Sequence, residues 1–356
     1  MRKTLFILFC SLLVTILAAH PAFANGTTFF RYSKMPTGQV LPMEPGKMSI
    51  EGEELSIRFV KQNKGTIFAP DHPSMKARIQ VIYKLHNHLS EDWEVPIAFP
   101  HPGETDQWKV TFDGKTIPLT GTVMLPREQV VGKVPLHSWI HPRIGKKYEL
   151  SYQDEYAEFR SIPSQTFTVL AKGETTHTLQ IEYEASLGID ERTNLHPVYR
   201  FDYLLHPASY WSDFKDLHIK LDIPFNGDVY VNLPLQKSGF YSWEGTFDRL
   251  PEEDLVVFLS PDSGVVIDLF HSRAAALAAV PILLLLFYPI GRWMISRTPS
   301  RHGKVVSILW LAVCLWAGYD ILEMNITGYP FKVLQPVLFG VYVLILILVW
   351  NRLRRV

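Results

Sequence analysis

Cysteine is almost absent from this sequence. Of 356 residues only Cys10 and Cys314 carry a thiol, and both stand in apolar runs. The long stretch between those runs can therefore have neither a disulfide framework nor thiolate chemistry. A segment of that size must be held by its own hydrophobic core, and it is long enough to build one. Also missing are a phosphate-cradling glycine loop and a G-x-S-x-G nucleophile elbow, the usual sequence signs of nucleotide binding and of serine-hydrolase chemistry. No cofactor is expected from any motif. Net charge is lacking too, with 35 basic side chains against 35 acidic ones.

That balance hides a segregation. Residues 25–270 hold 33 acidic and 24 basic side chains, a net of −9, whereas the rest of the chain holds 11 basic residues and only two acidic ones, Asp320 and Glu323. A domain of net −9 repels phosphate backbones, so nucleic acid is not an expected partner. An acidic domain joined to a basic apolar part is the distribution that membrane topology rules produce.

The first 24 residues read as a cleaved signal peptide. Arg2 and Lys3 precede the uncharged apolar residues 5–19, and Ala22-Phe23-Ala24 forms a small-x-small cleavage site. Pro21 argues against an uncleaved anchor helix. Cys10 follows Phe9 inside the apolar core, which does not suit a lipoprotein site.

Three apolar runs near the other end, residues 274–291, 305–322 and 333–350, each suffice to cross a hydrocarbon core of about 30 Å. Arg292, Arg297, Arg301 and Lys304 fill the link between the first two, residues 292–304. Arg352, Arg354 and Arg355 fill the tail, residues 351–356. Both clusters predict cytoplasmic segments, with residues 323–332 and the domain at 25–270 on the other side. The predicted location is a cell membrane, crossed several times, with the C-terminus cytoplasmic. Trp293 and Trp350 fit interfacial belts. Asp320 and Glu323 share a helical face at the outer end of the second span; they read either as an intramembrane acidic site or as an interfacial helix end.

Residues 25–270 read as all-β. After a turn-rich lead-in with Pro36, Gly38, Pro42, Pro45 and Gly46, period-two runs recur at 55–60, 77–85, 93–99, 108–112, 115–119, 166–170, 177–185, 198–205, 217–223, 229–233, 240–247 and 255–259. Asp113-Gly114 is a two-residue hairpin signal. The best helix candidate is 148–159. The pattern predicts a β-sandwich-like domain, with two sub-domains possible about 161–165, followed by three transmembrane helices.

Candidate sites are few. His86 and His88 lie at i and i+2, so on a strand both rings could meet one metal ion, although a third ligand is needed. If 77–89 and 93–101 pair as a hairpin, His101 falls at the far end. Trp211, Tyr210 and Trp139 are the aromatics offered for ligand contact, the first two on the short segment 206–213 between two strands. Their other reading is strand packing. Carboxylate pairs for glycoside chemistry cannot be chosen from 33 acids, because only spatial separation decides.

The strand at 77–85, then Trp93-Glu94-Val95-Pro96-Ile97-Ala98-Phe99-Pro100, then the aromatic run 198–205 with a Trp-bearing turn and the strand 217–223 follow one another in a recognisable order. In this order the exported part resembles a family of bacterial exported proteins known only as a domain of unknown function. The resemblance covers about half the chain and implies no catalytic residue. Members need not carry three membrane helices, so the anchor here departs from the pattern.

The residues thus predict a non-enzymatic cell-envelope membrane protein. Its β-domain would bind a protein or wall polymer, and its helices would sit in a lipid bilayer and dock to an integral membrane partner. A sensing or binding subunit of a transporter or signalling complex, and an envelope glycan hydrolase, are the alternatives.

Overall fold

The computed structural model describes residues 37–44, 46–62, 74–101, 108–131, 139–148, 161–190, 196–262, 269–270, 273–298, 302–325 and 331–353. The chain divides into a β unit, residues 31–190 and 197–261, and a second unit that contains the C-terminal helices. The predicted cleavage site at Ala22 and Ala24 and nearly all of the predicted helix at 148–159 lie outside the described residues.

The β unit begins with two short strands, β1 (Thr37–Gly38) and β2 (Leu41–Pro42), and a long pair, β3 (Met48–Gln62) and β4 (Ser74–Asn87). β5 (Trp93–Pro100), β6 (Lys109–Phe112), β7 (Lys115–Thr116) and β8 (Gly121–Pro126) follow. Then come a single-turn helix α1 (Arg127–Val130) and the short pair β9 (Trp139–Ile140) and β10 (Lys147–Tyr148). β11 (Ser161–Ala171), β12 (Thr176–Ser186), β13 (Gly188–Asp190) and β14 (Val198–Leu204) lead into a 3-10 turn at His206–Tyr210. β15 (Leu217–Asp222), β16 (Gly227–Val231), β17 (Gln236–Lys237), β18 (Ser242–Phe247) and β19 (Leu255–Pro261) complete the unit.

These strands make an eight-stranded sheet in the order β17-β18-β15-β3-β4-β12-β6-β7, a four-stranded sheet β2-β5-β11-β8, and a five-stranded sheet built on β1-β14-β19-β16 with β13 beside β14. One buried cluster takes Leu55, Val81 and Ile181 from the first sheet, Val95, Ile97 and Phe167 from the second, and Tyr199, Phe201 and Val257 from the third. The large sheet therefore packs one face against the two smaller ones, as in a sandwich. The period-two pattern explains the division of faces. Leu55, Ile57 and Phe59 are buried, whereas Glu54 before them and Arg58 between them are exposed.

Two strands do not alternate. Every residue of β14 and of β19 is buried. Trp139, Ile140, Val198, Val256 and Phe258 form a separate cluster, so β9 covers the second face of the five-stranded sheet. Strands buried on both faces read as continuous apolar runs, as Leu255-Val256-Val257-Phe258-Leu259 does.

Three sequence expectations change. The lead-in, read as rich in turns, carries two short strands. β1 pairs parallel with β14 and β2 pairs antiparallel with β5, so residues 37–42 run buried from one small sheet to the other. Strands β4 and β5 do not form a hairpin. β4 lies between β3 and β12, while β5 lies between β2 and β11 in a different sheet. No boundary falls at 161–165, because those residues are the start of β11, inside the four-stranded sheet. Asp113-Gly114 does form a tight turn, with φ of 48° and 76°, as the hairpin signal predicts.

The second unit contains α2 (Arg273–Ser296), α3 (Gly303–Asn325) and α4 (Phe331–Leu353). Each is long and apolar enough to cross a membrane. Helices of 23 or 24 residues reach roughly 35 Å, longer than the apolar runs alone, because backbone hydrogen bonding continues past Arg292 and begins before Val305. The helices meet through specific contacts. The Tyr342 hydroxyl donates to the Cys314 carbonyl at 2.7 Å, and the Trp310 indole donates to the Phe287 carbonyl at 3.0 Å. Gly318 accepts the Tyr342 ring where any Cβ would collide with it. Leu285, Ile308, Leu309 and Val337 are exposed, the surface a bilayer would solvate.

Candidate ligand groove

The outward face of the eight-stranded sheet carries the charges that alternation places there. Register sets Lys220, Ser56, Gln80, Glu182 and Lys109 in one cross-strand row, and Asp222, Arg58, Arg78 and Glu184 in the next. All but Lys220 and Asp222 bound an open groove of about 730 Å³ lined by Ser56, Arg58, Arg78, Gln80, Lys109, Glu182 and Glu184, with Ile79, Trp108 and Tyr183 also on its wall.

The second row has an unusual charge order. Arg58 and Arg78 are direct cross-strand partners, an arrangement that repels. Each is held by an acid on its other side. Arg78 Nε donates to Glu184 at 2.8 Å, and Lys76 Nζ reaches the same carboxylate at 3.0 Å. Arg58 Nε lies 3.4 Å from Asp222. Hydrogen bonds from Arg78 and Lys76 hold the Glu184 carboxyl below its ordinary value. Both arginines stay 61% exposed, so two forked donors stand side by side at the surface. The groove wall carries three cations and two carboxylates, on a segment whose net charge is −9.

Behind this face the sheet is rigidly backed. Tyr183 stacks on Trp108 with centroids 4.6 Å apart and rings 6° from parallel. The Tyr183 hydroxyl bonds Thr37 Oγ1 at 2.7 Å, and Trp108 Nε1 donates to His101 Nε2 at 3.0 Å. Burial lowers His101 to about 4, so its ring is neutral and its Nε2 can accept.

Deeper in the same core lies a carboxyl. A bulge between Ile50 and Gly52 shifts the phase of β3, so that Glu53 faces inward with Leu55 and Ile57. Glu53 interrupts the apolar row Leu217, Tyr83, Leu179 and Phe112. Its Oε2 accepts from Gln39 Nε2 at 2.5 Å, and burial raises it to about 8. Tyr83 and Tyr203, whose hydroxyls are 3.4 Å apart, are both raised, chiefly by burial and also by the nearby Glu53. Glu53 Oε1 and Gln39 Oε1 are both buried without a hydrogen-bond partner among the described residues.

The aromatic candidates sit elsewhere and are packed. Trp211 is buried and donates its indole N–H to the Val40 carbonyl at 2.9 Å. Trp139 is buried on Phe258, with centroids 5.8 Å apart. Tyr210 is half-buried beside the cluster of Leu41, Leu125 and Leu204. The segment 206–213 thus anchors the lead-in rather than presenting both its aromatic rings to solvent.

His86 and His88 do share a side, with rings 4.7 Å apart. One ring nitrogen of each is engaged, His86 Nδ1 with Thr176 Oγ1 at 3.1 Å and His88 Nε2 with Ser49 Oγ at 2.9 Å. Among the described residues no third His, Cys, Asp or Glu completes a metal-binding group with them, and His101 is buried beside Trp108. Asp320 is half-buried on α3; the Glu323 side chain lies outside the described residues.

Sequence reasoning missed Arg58, Arg78, Glu184 and Glu53. One signal was available for Glu53. In Glu53-Glu54-Leu55-Ser56-Ile57-Arg58-Phe59 the first acid shares the phase of the three apolar residues.

No protein-family model and no curated protein matches the chain. Among solved structures, a "putative nutrient binding protein" of Legionella pneumophila is 8% identical, with a TM-score of 0.46 over 88% of this chain and 98% of that one. An M1 zinc metallopeptidase of Deinococcus radiodurans is 7% identical, with a TM-score of 0.29 over 62% of this chain and 43% of its own. A leukotriene A4 hydrolase of Saccharomyces cerevisiae is 10% identical, with a TM-score of 0.30 over 71% and 34%. The chain spans less than half the length of the last two. At these scores the likeness assigns neither a family nor a ligand.

Proposed function

We propose that this chain is a membrane-anchored binding protein whose β unit takes a protein or wall-polymer ligand in the groove around Arg58 and Arg78. The observation that carries the reading is that groove. It sets a row of paired charges and two neighbouring guanidinium groups on a sheet braced from behind by the Trp108–Tyr183 stack. The three apolar helices support the anchoring half of the reading. The basic residues at 292–304 and 351–356 support an orientation with the β unit outside the cytoplasm and the tail inside. The signal at residues 1–24 would deliver that orientation, and the helices would dock to an integral membrane partner.

The test uses the full chain in detergent with purified peptidoglycan as the probe. Arg58→Ala with Arg78→Ala should weaken binding about tenfold, or about 1.4 kcal/mol. Unchanged binding in the double variant would remove the groove from the reading. If the wild-type chain leaves peptidoglycan unbound, the wall-polymer half is lost, and cross-linking from position 78 then identifies or excludes a protein ligand.

A hydrolase is the second reading, because Glu182 and Glu184 stand on one strand face in the groove, roughly 7 Å apart by strand rise. Such chemistry needs one carboxyl raised as a proton donor. Glu184 is shifted the other way, and Glu182 accepts from Gln180 at 2.6 Å with Lys109 at 3.8 Å. Loss of product release from peptidoglycan in both Glu182→Gln and Glu184→Gln, with binding retained, would revive this reading.

A further inference from the structure

A second surface of the β unit differs from the groove in chemistry. The hairpin of β17 and β18 turns at residues 238–241, and its tip is tied by Ser238 and Gly239 N–H groups to the Ser242 carbonyl at 3.0 and 3.3 Å. Phe240 on this tip is 74% exposed and Tyr241 is 37% exposed, with rings edge to face at 4.6 Å. The neighbouring loop is attached through the Ile223 N–H to the Tyr241 carbonyl at 2.8 Å, and it adds the half-buried Phe225. Lys237 Nζ lies 5.8 Å from the Phe240 ring centre and 5.4 Å from that of Trp243. Between Leu233 and Glu244, Lys237 is the only charged residue, on a segment whose net charge is −9.

Phe240 and Tyr241 leave apolar ring surface in solvent, and moving that surface into an apolar phase is favourable. Aromatic rings with a lysine beside them match the headgroup level of a bilayer. There the rings sit between hydrocarbon and water, and the ammonium stays in the polar layer. We infer that the Phe240–Tyr241 hairpin tip is an interfacial foot that rests on an anionic phospholipid surface, with Lys237 among the headgroups. The bilayer is the favoured occupant because the same chain carries three membrane-length helices, and only residues 262–272 separate β19 from α2. Such a tether keeps the lipid surface at high effective concentration, so a foot of weak intrinsic affinity still engages. Glu244 on the same hairpin is paired with Lys220 at 3.0 Å, which leaves the Lys237 charge to complement anionic headgroups. The inference rests on the membrane reading of the three helices.

The test uses the full chain reconstituted in vesicles of phosphatidylcholine and phosphatidylglycerol. An environment-sensitive fluorophore is attached at Phe240→Cys in a background with Cys10→Ser and Cys314→Ser. Matched labels at Leu170→Cys, exposed on β11, and at Ile308→Cys, exposed on α3, act as references. The label at 240 should be blue-shifted and quenched severalfold more by shallow nitroxide lipids than the label at 170. Lys237→Glu should reduce that quenching in vesicles containing phosphatidylglycerol. Equal exposure at 240 and 170, with 308 quenched by deep nitroxides, overturns the foot and leaves the anchor standing. A blue shift at 240 without lipid quenching means a protein contact and also overturns it. If 308 is unquenched, the anchor reading fails and the foot fails with it.

Discussion

Gln39 donates its side-chain amide to Glu53 across 2.5 Å, linking the lead-in that joins the two small sheets to the bulged strand of the large one. The contact puts a carboxyl beside Tyr83 and Tyr183 of the large sheet and Tyr203 of the five-stranded one. Its protonation state is therefore a property of the whole sandwich.

The contribution of Glu53 to stability should fall as pH rises from about 4.5 to about 8, its ordinary and folded values. In that window the unfolded chain has lost this proton and the folded chain keeps it, so raising pH favours unfolding; above about 8 the penalty is complete. The cost is of the order of a few kcal/mol. Glu53→Gln, neutral at every pH and similar in shape, should flatten the slope and stabilise the β unit at pH 8. Denaturant titrations of the full chain in detergent at pH 5, 7 and 9 check this, and an unchanged slope in Glu53→Gln would refute it.

His101 produces the opposite slope. Burial depresses it from 6.5 to about 4, so the unfolded chain binds a proton that the folded chain refuses. Its contribution is full above 6.5 and is lost as pH falls toward 4. His101→Gln, which keeps an acceptor for Trp108 Nε1, should remove this acid-limb loss. Imidazole proton shifts from pH 7 to pH 3.5 provide the direct readout, and titration of His101 near 6.5 would contradict the expectation.

Gly38 is a close-approach position. A Cβ there would lie 2.5 Å from Leu204 Cβ and 2.7 Å from the Leu204 carbonyl oxygen. Gly38→Ala should push β1 off β14 and cost about 1–3 kcal/mol, as overpacking does. Gly46→Ala, also in the lead-in, has no atom within 4 Å but has φ of 92°, so its cost should come from backbone strain alone. Paired unfolding curves separate the two; proteolysis within the lead-in should rise for Gly38→Ala first.

Trp211 should behave as a packing residue. Trp211→Phe keeps an aromatic ring but loses part of the indole and the N–H donated to Val40, which should cost about 1–3 kcal/mol because a buried carbonyl is left unpaired and the core loses packing. Peptidoglycan binding, measured where the variant is folded, should stay at the wild-type level. A selective loss of binding with stability unchanged would restore Trp211 as a contact residue.

Much of the architecture was legible. The alternation of Ala77, Ile79, Val81, Tyr83 and Leu85 marks a half-buried strand whatever it pairs with. Asp113-Gly114 marks its turn because only certain residues accept positive φ. The lead-in escaped detection because strands of two residues have no period, and their partners at β5 and β14 are remote in sequence. The adjacency of β4 and β5 misled for a related reason. A short link, residues 88–92, is as able to cross between sheets as to turn within one. Trp139 and Trp211 looked available because burial from a second layer or a tucked lead-in leaves no local mark.

The sequence by itself determined the β-rich domain, the three membrane-length helices and the separation of charge between them, since hydropathy, period and charge are local quantities summed along the chain. Tertiary structure decided which side chains became neighbours. It set Arg58 beside Arg78, enclosed Glu53 among tyrosines from two sheets, and exposed Phe240 while burying Trp211. Those outcomes depend on strand order and register, and no single strand contains them.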